Sequence, residues 1–67
     1  MNVVVNGENK PFIEHTTLSD ALVALGYQLD MPMAIAVNYN VIPNSTYSKV
    51  ELKEHDVIEI LMPMQGG

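Results

Sequence analysis

One stretch in this chain of 67 residues carries a helical period, and the rest must be arranged to cover it. In "TTLSDALVALG", Leu18, Ala21, Leu22 and Leu25 recur at i, i+3, i+4 and i+7, so they line a single apolar stripe. Thr17 is placed to cap the start. Asp20 follows three residues on, as in a capping box, and brings negative charge into the first turn. Gly26 supplies the left-handed residue that ends the helix. A chain of about 60 residues buries only around 60% of its unfolded surface, so there is room for one core and no second domain. No cysteine is present to supplement that core with a disulfide or thiolate metal site. The helical stripe therefore needs a sheet to pack on, in two layers.

The flanking sequence supplies the strands. "MNVVVNGENKPFIEH" opens with a β-branched run, then Asn6-Gly7, then a second run around Phe12-Ile13. Asn-Gly suits a two-residue hairpin turn, whose central positions both need positive φ. The register stays open at this level, because a bulge after Gly7 would exchange the faces. Pro11 cannot donate to a ladder and belongs where its strand has a free side. In "MAIAVNYNVIP", Met33, Ile35 and Val37 alternate with alanines as a third strand. Asn38-Tyr39-Asn40 is a turn, and Val41-Ile42 a short return that Pro43 stops. "NSTYSKVELKEHD" is read as a further short strand or turn through Tyr47 and Leu52. Val57 to Leu61 is the last strand. The expected class is α+β, a mixed sheet of four to five strands packed on one main helix.

Charge removes several functions. Eight acidic residues stand against Lys10, Lys49 and Lys53, with no arginine, for a formal net charge of −5. Phosphate backbones are held mainly by lysine and arginine, so nucleic acid is a poor partner and a basic protein surface a better one. No segment approaches the roughly 20 apolar residues of a membrane span. The N-terminus has no basic region ahead of an apolar stretch, so a cytoplasmic protein without membrane partners is expected.

Catalytic groups are sparse. His15 and His55 sit in turns beside acidic residues and read as solvated surface. No set of ligands at zinc spacing accompanies them. Ser19, Ser45 and Ser48 lack a base with an orienting partner, and Ser19 fits the first turn of the helix. Glu51, Glu54, Asp56 and Glu59 read as a solvated face. No glycine-rich loop joins a strand to a helix, so no nucleotide cradle is present. The chain is not expected to be an enzyme, nor to bind a cofactor or metal itself.

What remains is the ending "PMQGG". Residues 1–62 are expected to form the domain and 63–67 a flexible tail. Five stretched residues span roughly 16–18 Å, so such a thread could carry the Gly67 carboxylate into a partner's active site while the domain stays outside. Glycine at positions 66 and 67 removes side-chain bulk where backbone must approach a ligand closely. A carboxylate becomes an acyl donor only when a partner activates it, for instance by adenylation. The expected role is a carrier whose reactive end is Gly67.

Read together, "VNGE", "TLSDALVALGY", "AIAVNYNVIPNSTY", "LKEHDVIEIL" and the terminal "QGG" resemble the ThiS family of sulfur carriers for thiamin biosynthesis, over essentially the whole chain. The resemblance implies a ubiquitin-like β-grasp fold. It implies a ThiF-like enzyme that uses ATP and magnesium to adenylate Gly67, and a persulfide sulfur donor that makes the thiocarboxylate. It further implies delivery of that sulfur to thiazole synthase, ThiG. Gly66 and Gln65 would enter the partner's active site with Gly67. Met62 and Met64 fall where the family carries apolar residues that contact partners, and methionine adapts well to such surfaces. When free, the carrier would be a monomer.

Three positions depart from the family pattern. Asn44 and Tyr47 stand where arginine and tryptophan are common, and "EHD" at Glu54-His55-Asp56 replaces the usual "EGD". His55 would therefore hold a geometry that glycine accepts more readily. Alternative readings are a MoaD-like carrier for molybdopterin synthesis and, from another class, a non-covalent β-grasp binding module that tolerates loss of Gly66-Gly67. A small enzyme is the weakest reading.

Overall fold

The computed structural model describes residues 1–63. The elements run β1 (Asn2–Val5), β2 (Glu8–Pro11), α1 (Leu18–Ala24), β3 (Ala34–Val37), β4 (Asn40–Ile42), a 3₁₀ helix (Asn44–Lys49) and β5 (Val57–Leu61). The five strands form one mixed sheet in the order β2-β1-β5-β3-β4. The last strand in sequence is thus the middle one in space, parallel to β1 and antiparallel to β3.

The Asn6-Gly7 turn settles the register left open above. Both residues have positive φ, 49° and 83°, and Val5 faces Glu8 directly across a two-residue loop with no bulge. The second strand therefore lies earlier than its hydrophobic residues suggested. It is the polar segment Glu8–Pro11, whereas Phe12 only flanks the core and Ile13 is 82% exposed. Turn geometry sets pairing more firmly than hydrophobicity on an outer strand, where neither face need be buried. Pro11 lies opposite Asn2 on this edge, and the neighbouring Met1 and Phe12 exchange both backbone hydrogen bonds. The imide nitrogen of Pro11 then faces away from β1, where its missing N–H costs nothing.

The helix forms as its pattern dictates. The Thr17 hydroxyl accepts from the Asp20 backbone N–H at 3.2 Å. At the other end Gly26 has φ 96°, its N–H donates to Val23 C=O, and the Tyr27 N–H donates to Leu22 C=O. These two bonds are the Schellman pair that terminates a helix on a left-handed residue. The stripe Leu18, Ala21 and Leu22 is buried against Val3, Val5, Ile35, Val37, Ile58 and Ile60 on one face of the sheet. Each fully buried Leu or Ile contributes about 1.5–3 kcal/mol, so this interlayer contact is the main stabilising term. Leu25 lies only partly buried at the rim.

The segment expected to be a strand or turn through Tyr47 is instead the 3₁₀ helix. Its first turn is closed by Pro43 C=O, which accepts from both the N–H and the hydroxyl of Thr46. Such short i→i+3 turns have no periodic signature of their own. Tyr47 is buried, and burial raises its phenol above the usual value near 10, so it serves as a neutral packing residue. Leu52 completes the core, and Glu51 bridges to Thr17 beside the start of the helix.

Candidate functional site

Four residues named above for the carrier end, Met64, Gln65, Gly66 and Gly67, lie outside the described residues. What can be built is the root from which they emerge, and that root is β5. Its alternation buries Ile58 and Ile60 on the helix side and turns Val57, Glu59 and Leu61 to the other face. Met62 follows the strand at 39% exposed, so it is not a core residue.

The flanks of β5 are held in an unusual way. β1 pairs with it through Val4 and Val5 and then leaves for the hairpin turn, which would strand the backbone of Ile60. The Asn6 side chain takes over. Its Oδ1 accepts from the Ile60 N–H at 2.8 Å, and its Nδ2 donates to the Ile60 C=O at 3.3 Å. A side-chain amide here imitates one further residue of a parallel ladder. On the other flank, near the start of β5, Asn38 does the corresponding job. Its backbone N–H donates to Val57 C=O at 2.7 Å while its Oδ1 accepts from Val57 N–H at 2.9 Å. The strand that leads to the C-terminal residues is thereby gripped at both ends. Nothing in the sequence marked Asn6 or Asn38 for this, because positive φ in a turn already accounts for an asparagine there.

The other candidates fall into structural roles. His55 has φ 69°, the geometry foreseen for a residue in the place of glycine. Its N–H donates to Asn2 C=O, at the end of the sheet away from Leu61. Asp56 is more than solvated surface: its carboxylate accepts from the Lys53 N–H at 2.8 Å and from Asn38 Nδ2 at 2.9 Å. Glu54 accepts from the Asn2 N–H at 2.7 Å. Glu51 lies 2.7 Å from His15 Nδ1, an exposed contact that ties the loop before the helix to the chain before β5. Ser19 is buried beside Thr17 in the first turn of the helix, and Ser45 and Ser48 are exposed on the 3₁₀ helix. Among the described residues no cluster of His, Asp and Glu is placed to hold a metal ion, and no helix is long and apolar enough to cross a membrane.

The sheet face turned away from the helix carries an apolar patch over β3, β4 and the end of β5. Ala34, Ala36, Val41 and Leu61 line a shallow groove there of about 130 Å³, with Glu59 beside them. Val41 is 77% and Leu61 70% exposed. This face is continuous with the root of the chain's last residues, since Leu61 belongs to both.

Comparison with known proteins supports one assignment. The crystal structure of the thiamine biosynthesis protein ThiS from Geobacter metallireducens superposes with a TM-score of 0.84 at 26% identity, covering all of both chains. A solution structure of a thiamine biosynthesis protein from the same organism gives a TM-score of 0.80 at 26% identity, over all of this chain and 88% of that one. A thiazole synthase from Paramagnetospirillum magneticum is 31% identical over all 67 residues, so the chain spans about a fifth (20%) of the length of that relative. The ThiS family model matches residues 3–67. With the five-stranded sheet on one helix in place, the chain belongs to the ThiS family, the ubiquitin-like β-grasp sulfur carriers of thiamine biosynthesis.

Proposed function

We propose that this chain carries sulfur as a thiocarboxylate on Gly67. A ThiF-like enzyme, using ATP and magnesium, joins the Gly67 carboxylate to AMP with loss of pyrophosphate. The terminal sulfur of a persulfide then attacks the acyl carbon, and AMP leaves. A second thiol attacks the donor-side sulfur of the resulting acyl disulfide, forming a disulfide with the donor and releasing the thiocarboxylate. Thiazole synthase receives that sulfur. The chain itself is a co-substrate and not a catalyst, working in the cytoplasm where ATP is at hand.

The observation that carries this reading is the family match, which runs through residue 67 and so includes Gly66-Gly67. The gripped β5 supports it, because a rigid root lets a domain present a thin segment at a fixed position. Exposed Met62 and the outer sheet face offer a partner apolar surface next to that root. Gly66 and Gln65 accompany Gly67 into the partner site, and Met64 joins Met62 in partner contact.

The test is intact mass with fragmentation after incubation with an activating enzyme, ATP-magnesium and a persulfide source. Replacement of one oxygen by sulfur, localised to Gly67, is the expected result. A variant lacking Gly66-Gly67 should show no change. An unmodified full-length chain, tried with several competent activating enzymes, would refute the carrier chemistry and favour a non-covalent binding module.

A further inference from the structure

The outer groove has a chemical asymmetry that a plain hydrophobic patch lacks. Ala34 and Ala36 keep its floor low, Val41 and Leu61 stand beside them, and Glu59 is the charged residue in the lining. Across the strands the lining runs Val41, Ala36, Glu59, so the carboxylate stands at one side of an alanine floor, with Leu61 next to it on the same strand. The chain's lysines do not answer it: among the described residues, the ion pairs link Lys10 to Glu8, His15 to Glu51 and His55 to Glu54. Glutamate is out of pattern here, since the other outward residues of β5 are Val57 and Leu61.

A carboxylate beside an apolar trough suits one kind of visitor, a long side chain with an aliphatic stem and a cationic head. Lysine and arginine lay such stems on apolar surface while the head seeks an anion. Once docking excludes water, that contact becomes a charge-assisted hydrogen bond, stronger than the same pair in solvent. The overall charge of −5 also favours a basic docking face.

We propose that this groove receives an arginine or lysine side chain from the docking face of thiazole synthase, with Glu59 as its anchor. This rests on the carrier reading above. Thiazole synthase is preferred as the occupant because the Paramagnetospirillum magneticum relative of that name contains a region matching the whole of this chain within a fifth of its length. Two domains joined in one chain meet at a high effective concentration, an arrangement suited to partners whose encounter is functional. The adjoining root at Leu61 would then direct Gly67 toward the same partner.

The experiment is calorimetric titration of the full chain against purified thiazole synthase at low and high salt. Glu59→Gln keeps the shape and removes the charge, and should weaken binding about tenfold or more while flattening the salt dependence. Ala36→Leu fills the groove and should cause a comparable loss. Glu8→Gln, on the far edge strand, should bind as the parent does. Thermal melts of each variant confirm folding. Parent-like binding by both Glu59→Gln and Ala36→Leu would overturn the proposal while leaving the carrier reading intact. So would a Glu59→Gln defect confined to the activating enzyme, or a parent dimer that Ala36→Leu dissolves. A parent that binds the activating enzyme but not the synthase would overturn the anchor and that partner assignment together.

Discussion

The two hairpins of the sheet solve one backbone problem with different residues. Asn6-Gly7 and Asn38-Tyr39 both place two successive residues at positive φ, with the first asparagine at 49° and 51°. Both asparagines then spend their side chains on β5. Because β1 runs parallel to β5 and β3 antiparallel, the first tip lies at the end of β5 that leads to Gly67 and the second at the opposite end. The difference is in the second residue. Glycine bears no penalty at φ 83°, whereas Tyr39 at 69° holds an aromatic side chain, 80% exposed, in a region L-residues avoid. The hairpin at the C-terminal end of β5 is therefore the less strained one, and the second residue of its tip bears no side chain.

The largest expected effect separates the two asparagine grips. Glycine keeps the positive φ at either position, so Asn6→Gly and Asn38→Gly remove only the side chains. Asn6→Gly leaves Ile60 N–H and C=O without their partner in a partly buried setting, and should cost about 1–3 kcal/mol. Asn38→Gly opens both Val57 N–H and the Asp56 carboxylate to water, which can replace the two exposed bonds that are lost, and should cost about 0.5–1.5 kcal/mol. Urea unfolding measures both. Amide exchange localises them, with protection lost at Ile60 in one variant and at Val57 in the other. Equal costs, or an Ile60 amide still protected without Asn6, would break the comparison.

Much of the frame was legible because its signals are local. The Leu18-Ala21-Leu22 spacing, the Thr17 and Gly26 ends, both hairpin turns and the run Val57–Leu61 each declare themselves within a few residues. Failures came where geometry outranks hydrophobicity. Phe12-Ile13 looks like a strand, yet the two-residue turn assigns pairing to polar Glu8–Pro11. Tyr47 looks like a strand residue, yet it is buried from a 3₁₀ helix that has no period to detect. The Gly66-Gly67 ending stands in the sequence itself and lies outside the described residues. The asparagine grips and the setting of Glu59 were not legible, because the grips join residues 19 and 54 positions apart and the setting of Glu59 exists only on the assembled sheet face.

The next effect in size concerns glycine itself. A Cβ added to Gly7 would meet nothing within 4 Å, so Gly7→Ala tests conformation without steric clash. The left-handed penalty of roughly 1–2 kcal/mol, less the entropy alanine removes from the unfolded chain, gives a net cost of about 1 kcal/mol. A melting temperature lowered by about 4–8 °C is the expected reading for a domain of this size. No shift would mean the first hairpin is as tolerant of a side chain as the second.

The smallest effect has the opposite sign. Tyr39→Gly relieves the same penalty at the far tip. It forfeits little packing, since Tyr39 is 80% exposed, and it loosens the unfolded chain by an amount that offsets part of the gain. The expected outcome is a stabilisation of about 0.5 kcal/mol, or a rise of a few degrees in melting temperature. Residue-specific exchange should show the gain shared by Asn40 and Val57, which flank the turn and its grip on β5. If Tyr39→Gly destabilised the domain instead, the aromatic ring would be holding the hairpin together, and the strain argument that distinguishes the two turns would have its sign reversed.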